Sequence, residues 1–169
     1  MFQLTKTQLE LLRDQLRARG QRPSLFVAGP NTSRELIDAV DLMERWGPFV
    51  EAMYLVMASD RRLLNVEREV LRGALAVLSF DTVRTRHMEA MLDAAARRVA
   101  EEGADKRLAT VSEALRQDPT RAETAAVVAA AIAAADNRFA PEEDEILTRL
   151  FEGIGIDSAR AAELLSQLK

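Results

Sequence analysis

Apolar residues recur every three or four positions through most of the chain, a spacing that indicates amphipathic helices. The first such stripe is Leu9, Leu12 and Leu16. It follows Thr5, which together with Gln8 fits a helical capping box. No stretch alternates apolar and polar residues for long enough to require a strand. The pattern therefore predicts an all-α fold whose first helix covers residues 5–19.

Glycine and proline divide the rest of the chain into further helices. A Trp-Gly-Pro sequence at residues 46–48 predicts a break between two of them, and residues 20–32 are predicted to form a loop. The segment from Arg121 to Ala135 is almost all small and apolar, so we expect it to be the buried central helix. The further predicted helices are 32–46, 49–59, 65–78, 82–102, 105–117, 121–135, 141–152 and 158–168. Together with the first helix, the pattern predicts about eight to nine helices.

The amino-acid composition limits the classes of function that this chain can have. Hydrophobic residues make up 48% of the chain and charged residues 30%, a balance that argues against disorder. The absence of cysteine excludes disulfides and thiolate metal sites, and a single histidine leaves little for acid–base catalysis, so we expect no enzyme. Residues 108–169 carry six basic and eleven acidic groups. This excess of negative charge argues against nucleic-acid binding.

The same features bear on location. The amino-terminal residues lack the basic and apolar regions of a signal peptide. The longest apolar run, residues 125–135, is too short to span a bilayer. We therefore expect a cytoplasmic protein without a transmembrane segment.

Two segments of the chain, residues 58–71 and 134–147, align without gaps at an offset of 76 residues. Each contains an Asp (Asp60 or Asp136), an Arg two residues later, an apolar residue three later, and Glu at seven and nine later. Each also lies between two predicted helices. The repeat predicts a duplicated helical hairpin within one domain.

This Asp-x-x-apolar-x-x-x-Glu pattern at a helix–helix turn resembles the TerB-like family, named for the tellurite-resistance protein TerB. The resemblance covers about residues 46–168. It implies a compact helical bundle, with residues 1–45 as an amino-terminal helical extension and 46–169 as the TerB-like domain. It also implies a non-enzymatic role in tellurite or other chemical stress, a metal ion held by acidic residues, and work in protein complexes at the inner face of the membrane. The acidic positions that match are Asp60, Glu67, Asp136 and Glu143.

The sequence departs from that family at two positions of the turn. Family members usually have Gly after the Asp, where this chain has Arg61 and Asn137; Arg adopts a left-handed conformation less readily than Asn. They often have Ser or Thr four residues after the Asp, where this chain has Leu64 and Ala140. The missing hydroxyl removes half of a capping box. We therefore expect the second turn, with Asp136, to be the better candidate site.

Two interpretations of these carboxylates remain open. They hold a divalent cation, in which case the lack of Cys and the single His favour Ca²⁺, Mg²⁺ or Mn²⁺ over Zn²⁺. Alternatively they are structural caps, because a Glu in the first turn of a helix interacts favourably with the unpaired N–H groups there. The chain would then be a protein-interaction or adaptor module without a ligand or cofactor. Both interpretations allow a homo-oligomer.

Overall fold

The computed structural model describes residues 5–21, 33–136 and 138–168. This part of the chain forms eight α-helices and contains no strand, so the predicted all-α class is confirmed. The helices are α1 (Lys6–Gly20), α2 (Ser33–Met57), α3 (Asn65–Leu78), α4 (Thr85–Glu102), α5 (Ala104–Arg116), α6 (Pro119–Ala133), α7 (Pro141–Gly153) and α8 (Ser158–Ser166).

The predicted break at residues 46–48 is wrong, because α2 continues through Pro48 as one helix. Proline removes one intrahelical hydrogen bond and disfavours a helix interior. Here the apolar stripe continues on both sides of it: Trp46 and Phe49 are buried and pack edge to face, with ring centroids 5.9 Å apart. Burial of that stripe outweighs the lost hydrogen bond. The predicted capping box of Thr32 and Glu35 at the start of this helix lies outside the described side chains. The predicted boundary between the amino-terminal extension and the TerB-like domain, between residues 45 and 46, falls within α2.

The small apolar helix α6 lies at the centre of the bundle, as predicted. Its Ala125, Ala129 and Ile132 side chains are fully buried, and it packs against α1, α2, α3, α5, α7 and α8. Asp118 caps its start by accepting hydrogen bonds from the N–H groups of Thr120 and Arg121. Its alanines have no long side chains, which lets so many helices approach it at once.

Helix α1 is joined to α3 by a contact between their backbones. A Cβ added to Gly20 would lie 1.7 Å from the carbonyl oxygen of Glu69, and one added to Gly73 would lie 1.8 Å from that of Leu16. Neither position tolerates a side chain. The predicted capping box at the start of α1 is confirmed, because Gln8 N–H donates to Thr5 Oγ1 and Thr5 N–H donates to Gln8 Oε1.

None of the helices in the described part of the chain is long and apolar enough to cross a membrane.

Candidate functional site

The two repeated turns use the same backbone hydrogen bond. In the turn between α2 and α3, Asp60 Oδ1 accepts from the N–H of Arg62 at 2.8 Å. In the turn between α6 and α7, Asp136 Oδ1 accepts from the N–H of Arg138 at 2.9 Å. A side-chain oxygen that accepts from the backbone two residues later makes an Asx-type turn. The repeat seen in the sequence is therefore also a repeat of local structure.

The two glutamates are also equivalent. Glu67 Oε2 accepts from the N–H of Leu64 at 2.8 Å, and Glu143 Oε2 accepts from the N–H of Ala140 at 2.8 Å. Each Glu thus forms the half of a capping box that reaches back to the helix start. The other half is missing, as predicted, because Leu64 and Ala140 have no side-chain oxygen. Both glutamates are almost completely buried, at 3% and 5% relative exposure.

Arg61 occupies the position at which the TerB-like pattern has glycine, and its backbone is left-handed, with φ of +63°. A residue with a Cβ adopts this conformation at a cost of about 1 kcal/mol or more. The first turn therefore keeps a glycine-like geometry without a glycine, at a residue type that adopts it less readily than Asn. The equivalent Asn137 lies outside the described residues.

Burial raises the pKa of Glu67 from 4.5 to about 7, against the opposing effect of the hydrogen bond from Leu64. The negative charges of Glu143, Asp60 and Asp136 raise this pKa further. Two of these three groups belong to the other turn, 69 and 76 residues away in the sequence. The two turns therefore lie close enough for their charges to interact.

The pKa of Glu143 is raised in a similar way. Burial raises its pKa to about 7, the hydrogen bond from Ala140 opposes this rise, and the charges of Asp136 and Asp60 add to it. Among the described residues, none of the four turn carboxylates forms an ion pair with Lys or Arg. In the described part of the chain, the site thus brings four acidic side chains into electrostatic contact without an ion pair to Lys or Arg.

The arrangement is not a preformed metal cage. Within residues 5–21, 33–136 and 138–168, no three His, Asp or Glu side chains are grouped closely enough to hold a metal ion. A cation bound by both turns would therefore have to draw their carboxylates together.

The second turn has a neighbour that the sequence analysis did not identify. Arg13 of α1 donates from Nη1 to the carbonyl oxygen of Ala134 at 3.1 Å. This carbonyl lies at the C-terminal end of α6, two residues before Asp136. A guanidinium at a helix C-terminus interacts favourably with the helix dipole and with unpaired carbonyls. Nothing in the spacing of residues 5–19 indicates this contact.

A third buried glutamate, Glu51 of α2, was also missed. It is 2% exposed, and its carboxylate meets Arg107 Nε at 2.6 Å and Arg98 Nη2 at 2.7 Å. These arginines come from α5 and α4. Because Arg107 lies 56 residues and Arg98 47 residues from Glu51 along the chain, no local sequence signal could have paired them.

No protein-family model, curated protein or solved structure matches this chain. The resemblance to the TerB-like family therefore depends on the residues of the two turns and their context.

Proposed function

We propose that this protein is a non-enzymatic TerB-like helical module that binds a divalent cation between its two acidic turns as part of a response to chemical stress. The observation that carries the proposal is the pair of buried glutamates, Glu67 and Glu143. Each is influenced by the charge of the other turn, and neither has a cationic partner among the described residues.

Physical reasoning supports a cation here. A buried carboxylate without a positive partner is costly in its charged form, and several of them repel one another. A divalent ion between the turns would replace this repulsion with attraction. Asp60, Asp136, Glu67 and Glu143 offer only oxygen atoms, which favours Ca²⁺, Mg²⁺ or Mn²⁺ over Zn²⁺.

The cellular setting belongs to the same proposal. We place the protein in the cytoplasm, where it works with a protein partner, in keeping with the complexes at the inner face of the membrane that the family resemblance implies. The proposal involves binding and no catalysis, because the sequence has no Cys and a single His and the four turn carboxylates offer oxygen ligands for a cation.

Thermal unfolding with each cation against a chelator tests the proposal. A ligand at a hundred times its Kd stabilises a fold by about 2.7 kcal/mol, or a Tm increase of roughly 5–10 °C at this chain length. We expect this increase with millimolar Ca²⁺, Mg²⁺ or Mn²⁺. The variants Asp136→Asn and Glu143→Gln should abolish it.

Asp93→Asn is the matched control, because Asp93 is exposed on α4, outside both turns. It should keep the full metal response. An unchanged Tm of the wild-type protein in every cation would overturn the metal part of the proposal.

The adaptor interpretation is the second candidate, and the observation that favours it is Phe80. This aromatic side chain is 90% exposed, on a left-handed backbone with φ of +52°. Gly is the usual residue at such a position after a helix. Sedimentation would show whether the chain self-associates and whether Phe80→Ser removes that association. A metal-insensitive protein whose oligomer depends on Phe80 would support this candidate over the first.

A further inference from the structure

An apolar groove with a volume of about 570 Å³ is lined by residues of α1, α3, α6 and α8 and by none of the two acidic turns. Its walls are Leu12 and Leu16 of α1, Val77 and Leu78 of α3, and Val127 and Val128 of α6. Small-molecule sites in proteins typically have volumes of about 300–1,000 Å³ and apolar walls with a few polar groups. The groove has the size and lining of such a site.

The charged residues that line the groove are Arg160 and Glu123, which form an ion pair with each other. Arg160 of α8, which lines the groove, is only 4% exposed. It donates from Nε and Nη2 to Glu123 Oε1, at 3.0 and 2.8 Å, and from Nη1 to Glu163 Oε2 at 2.8 Å. Glu163 does not line the groove, but its carboxylate and that of Glu123 together with the Arg160 guanidinium carry a net charge of −1. Each of these carboxylates is about one-third exposed.

The net charge of these three side chains determines which charge on a ligand would be attracted to the groove. An anionic head would find the guanidinium already engaged by two carboxylates and would be repelled by the remaining negative charge. A cationic head would be attracted to Glu123, which lines the groove beside Arg160. The lining of α6 extends from Pro119 to Val128, about 14 Å at a rise of about 1.5 Å per residue.

We infer that this groove binds a small amphiphilic cation, whose apolar body lies along α6 and whose ammonium or guanidinium group lies at the Glu123 carboxylate. This binding activity is separate from the proposed metal site, because none of the groove residues belongs to the two turns.

Calorimetric titration with octyl-, decyl- and dodecylammonium, each kept below its micelle concentration, tests the inference. Each added CH₂ should tighten binding by about fourfold while the chain still fits the groove. Alkyl alcohols and alkyl sulfates of the same lengths provide the head-group comparison. We expect the ammonium to bind most tightly and the sulfate most weakly; equal binding of all three head groups would overturn the inference.

Two variants locate the site. Val127→Trp fills the groove and should reduce alkylammonium binding at least tenfold, whereas Val40→Trp, the same change at an exposed position of α2, should not. Glu123→Gln should remove the preference for ammonium over alcohol and leave alcohol binding unchanged, which also shows that the groove still folds. Unaltered binding by Val127→Trp would refute the assignment. So would a groove closed by a second copy of the chain, detected as a dimer that binds no alkyl compound.

Discussion

Three similarly buried glutamates have two opposite kinds of surroundings: that of Glu51, and that shared by Glu67 and Glu143. Their relative exposures are 2%, 3% and 5%. Glu51 is held between the guanidinium groups of Arg98 and Arg107. The two turn glutamates each accept one backbone hydrogen bond and are influenced by the negative charge of other carboxylates.

The difference lies in the charged groups that surround each buried carboxyl group. Two guanidinium groups form ion pairs with Glu51, and the hydrogen bond to Glu51 raises the pKa of Arg107. Without such partners, burial raises the pKa of Glu67 and Glu143 to about 7. The first cluster thus joins α2, α4 and α5 by ion pairs, whereas no Lys or Arg of the described residues forms an ion pair with the second.

The largest expected effect is the loss of the Glu51 carboxylate. Glu51→Gln leaves two guanidinium groups without their buried partner and should lower the free energy of unfolding by about 3 kcal/mol, since breaking such a pair is strongly destabilising. Urea denaturation at neutral pH measures this. Glu69→Gln is the control, because Glu69 pairs with a single, more exposed arginine, Arg17; it should cost less than about 1 kcal/mol. Similar losses in both variants would contradict the contrast.

The next effect is a dependence of stability on pH. The folded-state pKa values of Glu67 and Glu143, about 7, lie above the ordinary value of 4.5, so folding favours their protonated forms. Their contribution is fully present below about pH 4.5 and is lost as the pH rises through 7. Between about pH 6 and pH 7, the free energy of unfolding should fall by about 2 kcal/mol for the two groups together. A stability that rises over this range would contradict the assigned pKa shifts.

Single substitutions of the turn glutamates test the same pKa shifts one group at a time. Glu143→Gln and Glu67→Gln keep an oxygen that accepts the backbone hydrogen bond but carry no charge. At about pH 8 each should raise the free energy of unfolding by about 1 kcal/mol and reduce the pH dependence, as measured by urea denaturation. Glu89→Gln, in a half-exposed pair with Arg68, should leave the pH dependence intact. A turn variant that is less stable than the wild type at this pH would argue for the structural-cap interpretation.

The smallest effect concerns the strained turn. Arg61→Gly should stabilise the protein by about 0.5–1 kcal/mol, because glycine adopts the left-handed conformation without a steric penalty. The neighbouring change Arg62→Gly, at a residue whose φ is not positive, should be destabilising, because it only increases the freedom of the unfolded chain. Thermal unfolding of the two variants side by side distinguishes these outcomes.

Local signals in the sequence were sufficient for most of the helices and for the chemistry of each turn. The limits of α3 at Asn65 and Leu78 and the start of α7 at Pro141 agree with prediction, because turns, proline and apolar spacing act over a few residues. The break at Pro48 was wrong, because burial on both sides of the proline acts through the rest of the bundle. The approach of the two turns and the partners of Glu51 could not be predicted, because they result from packing between distant segments.

The contact between Gly20 and the Glu69 carbonyl sets a limit on how far this protein can be shortened. A fragment that begins at residue 46 contains both copies of the repeat, so it would be an obvious choice for expression of a shortened protein. It would nevertheless start in the middle of α2, remove the cover that Leu9 and Leu16 provide, and leave the Ala134 carbonyl without Arg13. Any fragment that is to keep the core, whether expressed alone or fused to another protein, must therefore include α1.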